Sequence, residues 1–353
     1  MLKKMIMSLL LGATVLSSAG LGNYVQAQEA FNPDNEDGQS LYDVREKLGP
    51  LQVSDEEITI GGVAKAFENE YWRTLKEGME EGVRKANENG YNITIDMRAP
   101  QGESDEVGQL AIVRDMLNKG YDGLLLSPIS DGNLIPGVEE ALAEDVDVIN
   151  VNDGIISITP AFVGPKAVQN GEDLAKWLIE QIGEEGKVAI VMGMPKAFAA
   201  RQRTEGFEAY LAEHAPNIEI VEKQNADWDR LRAKEIADTW INMHDDLDAI
   251  FANNDVMALG VQEAVNTSGK DILVMGVDGI GEAYESIRNG ELDATVDSFP
   301  YYKGQIAVEM MLRKMSGQEI PYVLWTPQAV IDSTNVDKSP EEIIGWEELA
   351  YTE

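Results

Sequence analysis

The sequence predicts an α/β fold of two similar lobes, each a doubly wound, Rossmann-like parallel sheet, with a ligand cleft between them. From Glu57 onwards, short apolar runs rich in β-branched residues alternate with amphipathic segments of helical spacing, which is typical of βαβ units. The alternation is completed twice within 353 residues, a length that exceeds what one hydrophobic core usually spans. Ligands of such sheets bind outside the carboxyl ends of the strands, so the site is expected where the lobes meet.

The first 27 residues are predicted to be a secretory signal peptide. Lys3 and Lys4 precede the short apolar run Met5–Leu11, and small residues lead to a cleavage pattern that ends at Ala27. The apolar run is too short to span a bilayer. We therefore expect export to the periplasm, cleavage near Ala27 and no stable insertion into the membrane.

Residues 28–56 are polar and mixed, and are predicted to form an N-terminal arm or linker. They contain DNEDGQS, which resembles part of a calcium loop. If Gly38 took the glycine position of such a loop, however, the first ligand position would fall on Pro33. A solvated loop is the better interpretation.

Residues 57–163 are predicted to form most of the N-terminal lobe. Trp72, Leu75, Met79 and Val83 repeat at helical spacing, and Gly90 follows them as a helix-terminating glycine. The predicted strands are 58–64, 91–98, 122–128 and 146–153, and the predicted helices are 71–89, 106–119 and 133–144.

Residues 164–298 repeat the pattern and are predicted to form the C-terminal lobe. The predicted helices are 169–183, 200–212, 230–243, 256–267 and 281–289, and the predicted strands are 186–193, 218–224, 247–254 and 271–278. Residues 299–326 are assigned to the N-terminal lobe, and 327–353 to the C-terminal lobe and a tail. The hinge therefore has three crossover segments, near Phe162–Pro165, Ser298–Pro300 and Trp325–Gln328.

The charge balance narrows the range of partners. The chain has 63 acidic and 28 basic side chains, a net charge of −35 that becomes −37 when residues 1–27 and their two lysines are removed. Such an excess of negative charge repels nucleic-acid phosphates and anionic membrane surfaces. We therefore expect no nucleic-acid partner, and we interpret the acidic surface as one that keeps the protein soluble.

The usual catalytic and metal-binding motifs are missing from the sequence. The chain has no cysteine and only two histidines, His214 and His244, both expected near helix C-termini. It has no H-E-x-x-H, G-x-S-x-G or Walker A motif, and no G-x-G-x-x-G with its downstream acid. The sequence thus predicts no metal centre and no cofactor.

Acidic, amide and aromatic residues gather at the predicted strand ends. Glu68, Glu70, Asp153, Asp255 and Asp278 would suit a glycosidase, which needs two carboxyl groups facing one sugar. A protein that only binds a polyhydroxyl ligand uses the same residue types, because carboxylates and amides bond hydroxyl groups and aromatic rings cover C–H faces. Residue types alone leave both interpretations open.

Several segments, in order from about Ile58 to Leu324, resemble the ribose/galactose-type periplasmic binding proteins that feed ABC sugar transporters. They are ENEYWRTLKEGMEEG, DGLLLSP, GKVAIVMG followed by AARQRTEGF, NADWDRLRAKE, LDAIFANNDVMALG and VMGVDGIGEAYESIRNGELDATV. The resemblance implies the type I periplasmic binding protein fold and closure of the two lobes on a small ligand. Regulators of the lactose-repressor type share this fold, but they carry a helix-turn-helix where this chain has an export signal.

The resemblance also implies which residues bind the ligand. The matching positions are Asn69, Tyr71, Trp72, Arg203, Trp228, Asn254 and Asp278. Trp72 and Trp228 would cover the two faces of the ligand, and the amide, guanidinium and carboxylate groups would bond its hydroxyls. Asp255 is expected to be the N-cap of the helix that follows it.

Four further candidate positions differ from the ribose binders, namely Lys65, Asn152, Asp153 and Ser298. Asn152-Asp153 stands where ribose binders have Asp-Arg, Ser298 where they have Gln, and Lys65 where a small residue is usual. These exchanges alter the hydroxyl pattern that the site can satisfy, which argues against ribose itself. Lys65 with Arg203 would suit an acidic ligand, whereas Lys65 paired with Glu68 or Asp153 would not; both possibilities stay open.

The predicted function is therefore that of a periplasmic solute-binding protein, not an enzyme, which acts as a monomer. It is expected to capture a monosaccharide, polyol or sugar derivative and to deliver it to an ABC permease. Two alternatives remain at this stage. One is a periplasmic ligand-sensing subunit of a chemoreceptor or kinase, and the other is a secreted enzyme that uses two of the acids on sugars.

Overall fold

The protein folds around two large sheets, one in each lobe. The structure is a computed structural model, and it describes residues 32–54 and 56–352. The predicted signal peptide and its cleavage site near Ala27 lie outside the described residues. Within them, the expected α/β fold with parallel-sheet lobes is confirmed.

The secondary structure follows the predicted alternation. The strands are β1 (Gln39–Ser40), β2 (Leu51–Gln52), β3 (Glu57–Val63), β4 (Asn92–Arg98), β5 (Gly123–Leu126), β6 (Asp147–Val151), β7 (Phe162–Gly164), β8 (Glu185–Met192), β9 (Asn217–Asn225), β10 (Ala249–Ala252), β11 (Leu273–Asp278), β12 (Ala294–Asp297), β13 (Val323–Trp325), β14 (Ala329–Asp332) and β15 (Tyr351–Thr352). The helices are α1 (Leu41–Leu48), α2 (Glu70–Glu88), α3 (Glu106–Asn118), α4 (Ile135–Ala143), α5 (Ala167–Ile182), α6 (Phe198–His214), α7 (Arg230–Met243), α8 (Asp255–Ser268), α9 (Gly281–Arg288), α10 (Pro300–Met315) and α11 (Pro340–Ile344).

Both lobes have the same strand order at their centre. The first sheet runs β1-β13-β7-β6-β5-β3-β4 and the second runs β14-β12-β11-β10-β8-β9. Counted within each lobe, β4-β3-β5-β6-β7 and β9-β8-β10-β11-β12 are both the doubly wound order 2-1-3-4-5, whose switch point lies between the first and third strands. Only β14 is antiparallel to its neighbour. Central strands such as β5 and β10 are buried along their whole length, which is why they read as unbroken apolar runs.

The chain passes between the two sheets three times. The passages run from β7 to α5, from β12 to α10 and from β13 to β14. They fall at the three predicted crossover segments, while the residue-by-residue division into lobes stays a prediction. The three short connections join the lobes on one side. They can therefore act as a hinge about which the opposite side of the cleft opens and closes.

Close helix packing sets the position of Arg203, a candidate site residue on α6. A Cβ atom added to Gly171 of α5 would lie 2.0 Å from the backbone oxygen of Arg203, and one added to Gly206 of α6 would lie 2.0 Å from that of Val168. Only glycine permits this approach of the two backbones. The paired glycines thus fix α6, and with it the guanidinium group, against the C-terminal lobe.

The predicted arm is a folded part of the N-terminal lobe. Strand β1 pairs with β13, and the guanidinium of Arg45 on α1 forms two hydrogen bonds of 2.7 and 3.0 Å to one carboxylate oxygen of Glu309 on α10. The arm also reaches the other lobe, because Asp34 accepts a hydrogen bond of 3.2 Å from the backbone N–H of Val168 at the start of α5. These partners are distant in the sequence, and local composition gave no sign of them.

The tail that follows β14 contacts the N-terminal lobe. Strand β15 pairs with β2, Lys85 lies 2.7 Å from Glu348, and the ring of Trp346 lies 4.8 Å from that of Tyr302. All three contacts anchor the tail on the N-terminal lobe. Strand β14 is the last strand of the second sheet along the chain, and the partners of the segment after it are β2, Lys85 of α2 and the Tyr302 ring of α10.

Candidate ligand-binding site

The carboxyl ends of the strands in both lobes face a shared cleft. Nine of the eleven predicted site residues line it, together with Glu103, and they leave a cavity of about 20 Å³, close to the size of a single water molecule. The lining residues are Lys65, Asn69, Tyr71, Trp72, Glu103, Asp153, Arg203, Trp228, Asn254 and Asp278.

Two indole rings, one from each lobe, line the cleft. Trp72 lies in the first turn of α2, and its Nε1–H donates to Glu103 Oε1 at 3.0 Å. Trp228 lies in the loop before α7, where Gly193 makes room for it, since a Cβ atom on Gly193 would lie 2.1 Å from the indole ring. Flat rings with free faces are suited to covering the C–H faces of a sugar or polyol.

Glu103 is a functional candidate that sequence reasoning missed. One of its carboxylate oxygens, Oε1, accepts hydrogen bonds from Trp72 and, at 3.2 Å, from Asn69 Nδ2. Asn69 also caps α2, because its Oδ1 accepts from the N–H of Tyr71 at 3.0 Å. Burial raises the pKa of Glu103. The loop that carries Glu103 therefore orients both the amide and one ring of the predicted site.

Four charged side chains form a continuous chain across the cleft. Lys65 Nζ lies 3.1 Å from Asp153 Oδ1, and Arg203 Nη2 lies 3.1 Å from Asp153 Oδ2. Arg203 Nη1 lies 3.2 Å from Asp278 Oδ1 and also donates to the backbone oxygen of Asn253 at 2.7 Å. We call Lys65, Asp153, Arg203 and Asp278 the cross-cleft ion-pair chain. All four residues are buried. The chain that they form joins the two lobes.

The two aspartates of this chain have opposite pKa shifts. Burial alone would raise the pKa of Asp153, but Lys65, Arg203 and Lys303 outweigh it and hold the pKa below its usual value. Burial raises the pKa of Asp278 well above its usual value, and Arg203 offsets this only in part. Every cation that lines the cleft thus already has a carboxylate partner, so the site offers no free positive charge.

Several polar atoms of the cleft keep unused hydrogen-bonding capacity. Asn254 Oδ1 caps α8 by accepting from the N–H of Met257 at 3.0 Å, while its Nδ2 has no partner among the described residues. In Asp278, Oδ1 accepts a hydrogen bond from Arg203, while Oδ2 also has no partner among the described residues. Within the described part of the chain, Arg203 Nε is buried without a hydrogen bond. An unpaired buried donor is costly, so a hydroxyl group that accepted from Arg203 Nε would remove this cost.

The expectation that Asp255 caps α8 is wrong, because Asn254 takes that position. Asp255 Oδ2 instead accepts from the backbone N–H groups of Gly279 and Ile280 at 2.8 and 3.0 Å, and its Oδ1 accepts from Thr295 at 2.6 Å. Burial raises the pKa of Asp255 to about 6. Its role is to hold the loop that presents Asp278.

Backbone strain is concentrated around the cleft. Non-glycine residues with positive φ include Asn152 (72°), Trp228 (68°), Asp278 (134°) and, in the hinge, Phe299 (48°). Such conformations cost free energy and persist where the surrounding structure enforces them, often at functional sites. Three of the four are predicted ligand-binding residues, and the fourth, Phe299, directly follows another of them, Ser298. The positions of these strained residues are consistent with a functional site.

Two predicted site residues do not line the cleft. Asn152 Oδ1 and Ser298 Oγ accept hydrogen bonds of 2.7 and 3.0 Å from Lys303, a buried lysine that sequence reasoning missed. Tyr71 lines the cleft with its ring, but its hydroxyl group points to the same lysine, 2.6 Å away. We call Tyr71, Asn152, Ser298 and Lys303 the hinge lysine cluster.

Exposed polar contacts bridge the lobes at the rim of the cleft. Lys196 Nζ of the C-terminal lobe lies 2.5 Å from Glu106 of α3, and Arg201 forms an ion pair with Asp131. Elsewhere on the rim, Glu70 Oε1 accepts from the N–H of Gly281, the first residue of α9, at 2.9 Å. A carboxylate at a helix N-terminus is favourably placed. These contacts across the rim mean that the two lobes are closed on each other in this structure.

The family follows from comparison with known proteins. Residues 60–319 match the model of the periplasmic binding protein domain. This chain belongs to that family. A ribose import binding protein of Bacillus subtilis is 32% identical over 272 residues, covering 77% of this chain and 86% of the relative. A D-allose-binding periplasmic protein of Escherichia coli is also 32% identical over 272 residues, covering 73% of this chain and 85% of the relative.

A solved structure shares the fold. It is an ABC transporter periplasmic solute-binding protein from Actinobacillus succinogenes with bound D-allose, which superposes with a TM-score of 0.75 at 27% identity. The match covers 80% of this chain and all of that one. The recognition of the family from sequence segments is thereby confirmed, and the family is one of solute-binding proteins, not of enzymes.

The structure adds two observations on metals and membranes. Among residues 32–54 and 56–352, no group of His, Cys, Asp and Glu side chains is arranged to hold a metal ion. In the same part of the chain, no helix has the length and apolar character required to cross a membrane.

Proposed function

We propose that this protein captures a small, uncharged polyhydroxyl ligand, a monosaccharide or a polyol, and delivers it to an ABC permease. The observation that carries the proposal is the cross-cleft ion-pair chain between Trp72 and Trp228. It places donors and acceptors from both lobes around one small space, with an aromatic ring contributed by each lobe.

The charge balance of the cleft bears on the class of ligand. Lys65 is paired with Asp153, and Arg203 is shared by Asp153 and Asp278, so neither cation is free to bind an acid group. An acidic ligand would have to displace one of these carboxylates, leaving a buried charge unpaired at a cost of several kcal/mol. Hydroxyl groups, in contrast, can accept from Arg203 and Asn254 and donate to Asp278 without disturbing the pairs.

The names of the relatives agree with this ligand class. The B. subtilis protein is named for ribose import, and the E. coli protein and the Actinobacillus structure are named for D-allose. We take aldoses of five or six carbons as the first candidates. Of the departures from the ribose binders, Lys65 and Asp153 line the cleft, and they argue against ribose itself.

Capture proceeds by hinge closure. Arg203 and Asp278 come from the C-terminal lobe, while Asp153 and Trp72 come from the N-terminal lobe, so the complete site exists only when the cleft is closed. A ligand that contacts both lobes binds the closed form better and shifts the equilibrium towards it. The closed protein, a monomer in this proposal, then docks on the permease in the periplasm.

Two alternatives are weaker. An enzyme would need a free carboxyl group for proton transfer. Arg203 holds both Asp153 and Asp278. The third carboxyl group of the cleft, that of Glu103, accepts hydrogen bonds from Trp72 and Asn69. A sensing subunit would use the same cleft. It would differ from a transport protein in the partner that its outer lobe surfaces contact. Stimulation of the partner permease's ATP hydrolysis in proteoliposomes, on addition of the liganded protein, supports transport; failure to stimulate it favours sensing.

The ligand is tested by thermal shift and isothermal titration calorimetry. The panel is D-ribose, D-allose, D-galactose, myo-inositol and glycerol, with D-gluconate as the acidic comparison. A sugar at about 100 times its dissociation constant should stabilise the protein by about 2.7 kcal/mol. Binding of D-gluconate in preference to every neutral compound would overturn the proposed ligand class, and product formation from any glycoside would overturn the binding role.

A further inference from the structure

We propose that Lys303 is a positioning residue of the ligand site, which holds Tyr71, Asn152 and Ser298 behind the cleft and makes ligand affinity depend on pH. The inference rests on the proposed function, because it concerns the affinity of the same site. It begins from the hinge lysine cluster.

The hinge lysine cluster uses every hydrogen-bond donor of one ammonium group, that of Lys303. Lys303 lies in the first turn of α10, directly after the hinge, and is fully buried. Its Nζ donates to Tyr71 Oη at 2.6 Å, to Asn152 Oδ1 at 2.7 Å and to Ser298 Oγ at 3.0 Å. An ammonium group has three N–H donors, so all are used. Lys303 Nζ also lies 5.3 Å from the centre of the Tyr71 ring.

The charge of Lys303 has no direct partner. Among the described residues, its three hydrogen-bond acceptors are all neutral, and it forms no ion pair with a carboxylate. Removing an ammonium group from water is expensive unless an opposite charge compensates it. Burial therefore lowers the pKa of Lys303 to about 7.

Charged and titratable groups face Lys303 from every neighbouring element. The carboxylates of the surrounding elements favour its charged form, and one guanidinium group opposes it. These groups are Tyr71 on α2, Asp153 after β6, Arg203 on α6, Asp278 at the end of β11 and Asp297 at the end of β12.

This lysine costs folding stability, which argues for a role in the site. Its pKa is lower in the folded protein than in the unfolded chain, so between about pH 7 and 10 the unfolded chain binds more protons. Stability therefore rises with pH in that window, and at pH 7 or below the full penalty of the buried charge is present. Groups that lower stability are expected where function requires them.

Two members of the cluster, Tyr71 and Asn152, are direct neighbours of ligand-binding residues. The ring of Tyr71 lines the cleft and meets the ring of Trp72 edge-on at 5.2 Å. Asn152, held at a positive φ of 72°, immediately precedes Asp153, the central carboxylate of the cross-cleft ion-pair chain. Fixing Tyr71 and Asn152 thus fixes one ring and one carboxylate of the site.

Loss of the proton changes this arrangement in a defined way. A neutral amine has two N–H donors, so one of the three acceptors loses its hydrogen bond, and the charge next to Asp153 disappears. The affinity of wild-type protein for D-allose should therefore fall by about fivefold between pH 6 and pH 9, the effect of one ordinary hydrogen bond.

The experiment compares affinity for D-allose and D-ribose from pH 6 to 9 by calorimetry. The informative variant is Asn152→Asp, which has nearly the same shape and gives Lys303 a carboxylate in direct contact. This raises the pKa of Lys303 and should move the fall in affinity above pH 9. Lys303→Met, which cannot titrate, should show weak binding that does not change over the range. Lys314→Met is the matched control on the same helix, because Lys314 is half-buried in the last turn of α10 and pairs with Asp147 at 3.0 Å.

A second measurement needs no sugar. With ¹³C-labelled tyrosine, the Cζ resonance of Tyr71, assigned through Tyr71→Phe, should titrate with a midpoint near pH 7. The midpoint should move upwards in Asn152→Asp and be unchanged in Lys314→Met. A lysine that keeps its proton throughout this range would leave the resonance constant and could not make ligand affinity depend on pH.

The outcomes separate the two proposals. If neither sugar binds, the proposed function loses its first candidates, and a Tyr71 resonance that stays constant still overturns the role of Lys303. If a sugar binds with the same pH profile in wild-type protein and Asn152→Asp, or if the Tyr71 resonance does not titrate, the positioning role of Lys303 is wrong. A titration that shifts in Asn152→Asp supports it, even if Lys303→Met does not fold.

Discussion

The guanidinium group of Arg203, carried by the C-terminal lobe, lies 3.1 Å from the carboxylate of Asp153, carried by the N-terminal lobe. The two residues are 50 positions apart in the sequence and meet only where the lobes close. Because Arg203 also binds Asp278 at 3.2 Å, closing the cleft aligns one cation between two carboxylates. Closure and assembly of the site are thus one event.

Replacement of Arg203 by lysine should weaken D-allose binding by at least about tenfold, equivalent to about 1.4 kcal/mol. Lysine keeps the charge but has no planar fork, so it cannot meet Asp153, Asp278 and the backbone oxygen of Asn253 together. Calorimetry measures the loss. Arg201→Lys is the control on the same helix, since Arg201 is exposed and pairs with Asp131 at the rim. Equal effects of the two substitutions would remove Arg203 from the site.

Asn254 serves two purposes that a single substitution can separate. Asn254→Asp retains the oxygen that caps α8 but loses the Nδ2–H donor that faces the cleft. Affinity should fall by about tenfold, while the melting temperature of the free protein stays close to the wild-type value. Asn254→Ala removes both groups, and the lost cap should lower stability by about 1 kcal/mol as well. If Asn254→Asp binds D-allose normally, the side chain is only a helix cap.

Local sequence patterns predicted the fold and the segments that meet at the cleft, while the resemblance to a known family selected the individual site residues. Parallel strands buried on both faces are unbroken apolar runs, and residues that directly follow them must lie at the carboxyl edge of the sheet. Asn69, Trp72, Asp153, Asn254 and Asp278 all follow or end such strands, so their convergence was predictable.

The missed residues depend on contacts between distant segments. Lys303 lies in YYKGQIAVEMM, where a lysine beside apolar residues reads as part of an exposed helix face. Its burial results from α2, the segment after β6 and the hinge, which surround α10. Glu103 lies in the polar loop before α3, and only the folded chain shows that it meets Trp72. Periodicity carries no information about such encounters.

The rim contacts should stabilise the closed form without touching the ligand. In the double variant Lys196→Met and Arg201→Met, both exposed ion pairs with the N-terminal lobe are lost. Dissociation of D-allose, followed by stopped-flow fluorescence, should become about two- to fivefold faster, since exposed pairs contribute little each.

Salt provides the control for that prediction. The wild-type dissociation rate should rise between 0.05 and 0.5 M NaCl as the rim pairs are screened, and that of the double variant should rise less. Lys223→Met serves as comparison, because Lys223 pairs with Glu208 inside one lobe. A double variant with the wild-type salt dependence would show that the rim pairs do not hold the cleft closed.

Several buried aspartates should make the protein more stable at mildly acidic pH than at pH 8. Burial raises the pKa of Asp255 and Asp293 to about 6 and that of Asp297 to about 7. Between the unfolded value near 4 and these values, the folded protein binds more protons than the unfolded chain, so stability falls as pH rises through that window. Each such acid contributes up to about 1.4 kcal/mol per pH unit.

Asp297 provides the sharpest test of this pH dependence. Its Oδ2 accepts from Tyr284 at 2.8 Å and its Oδ1 from the N–H of Phe299 at 2.6 Å, in the hinge. Asp297→Asn keeps an acceptor for Phe299 but cannot ionise, so the variant should melt at a higher temperature than wild type at pH 8 and at a similar one at pH 5. Melting is followed by circular dichroism at constant ionic strength, with the exposed Asp337→Asn as control. A difference between Asp297→Asn and wild type that does not vary with pH would mean that Asp297 keeps its ordinary pKa, and that the pH dependence of stability arises elsewhere.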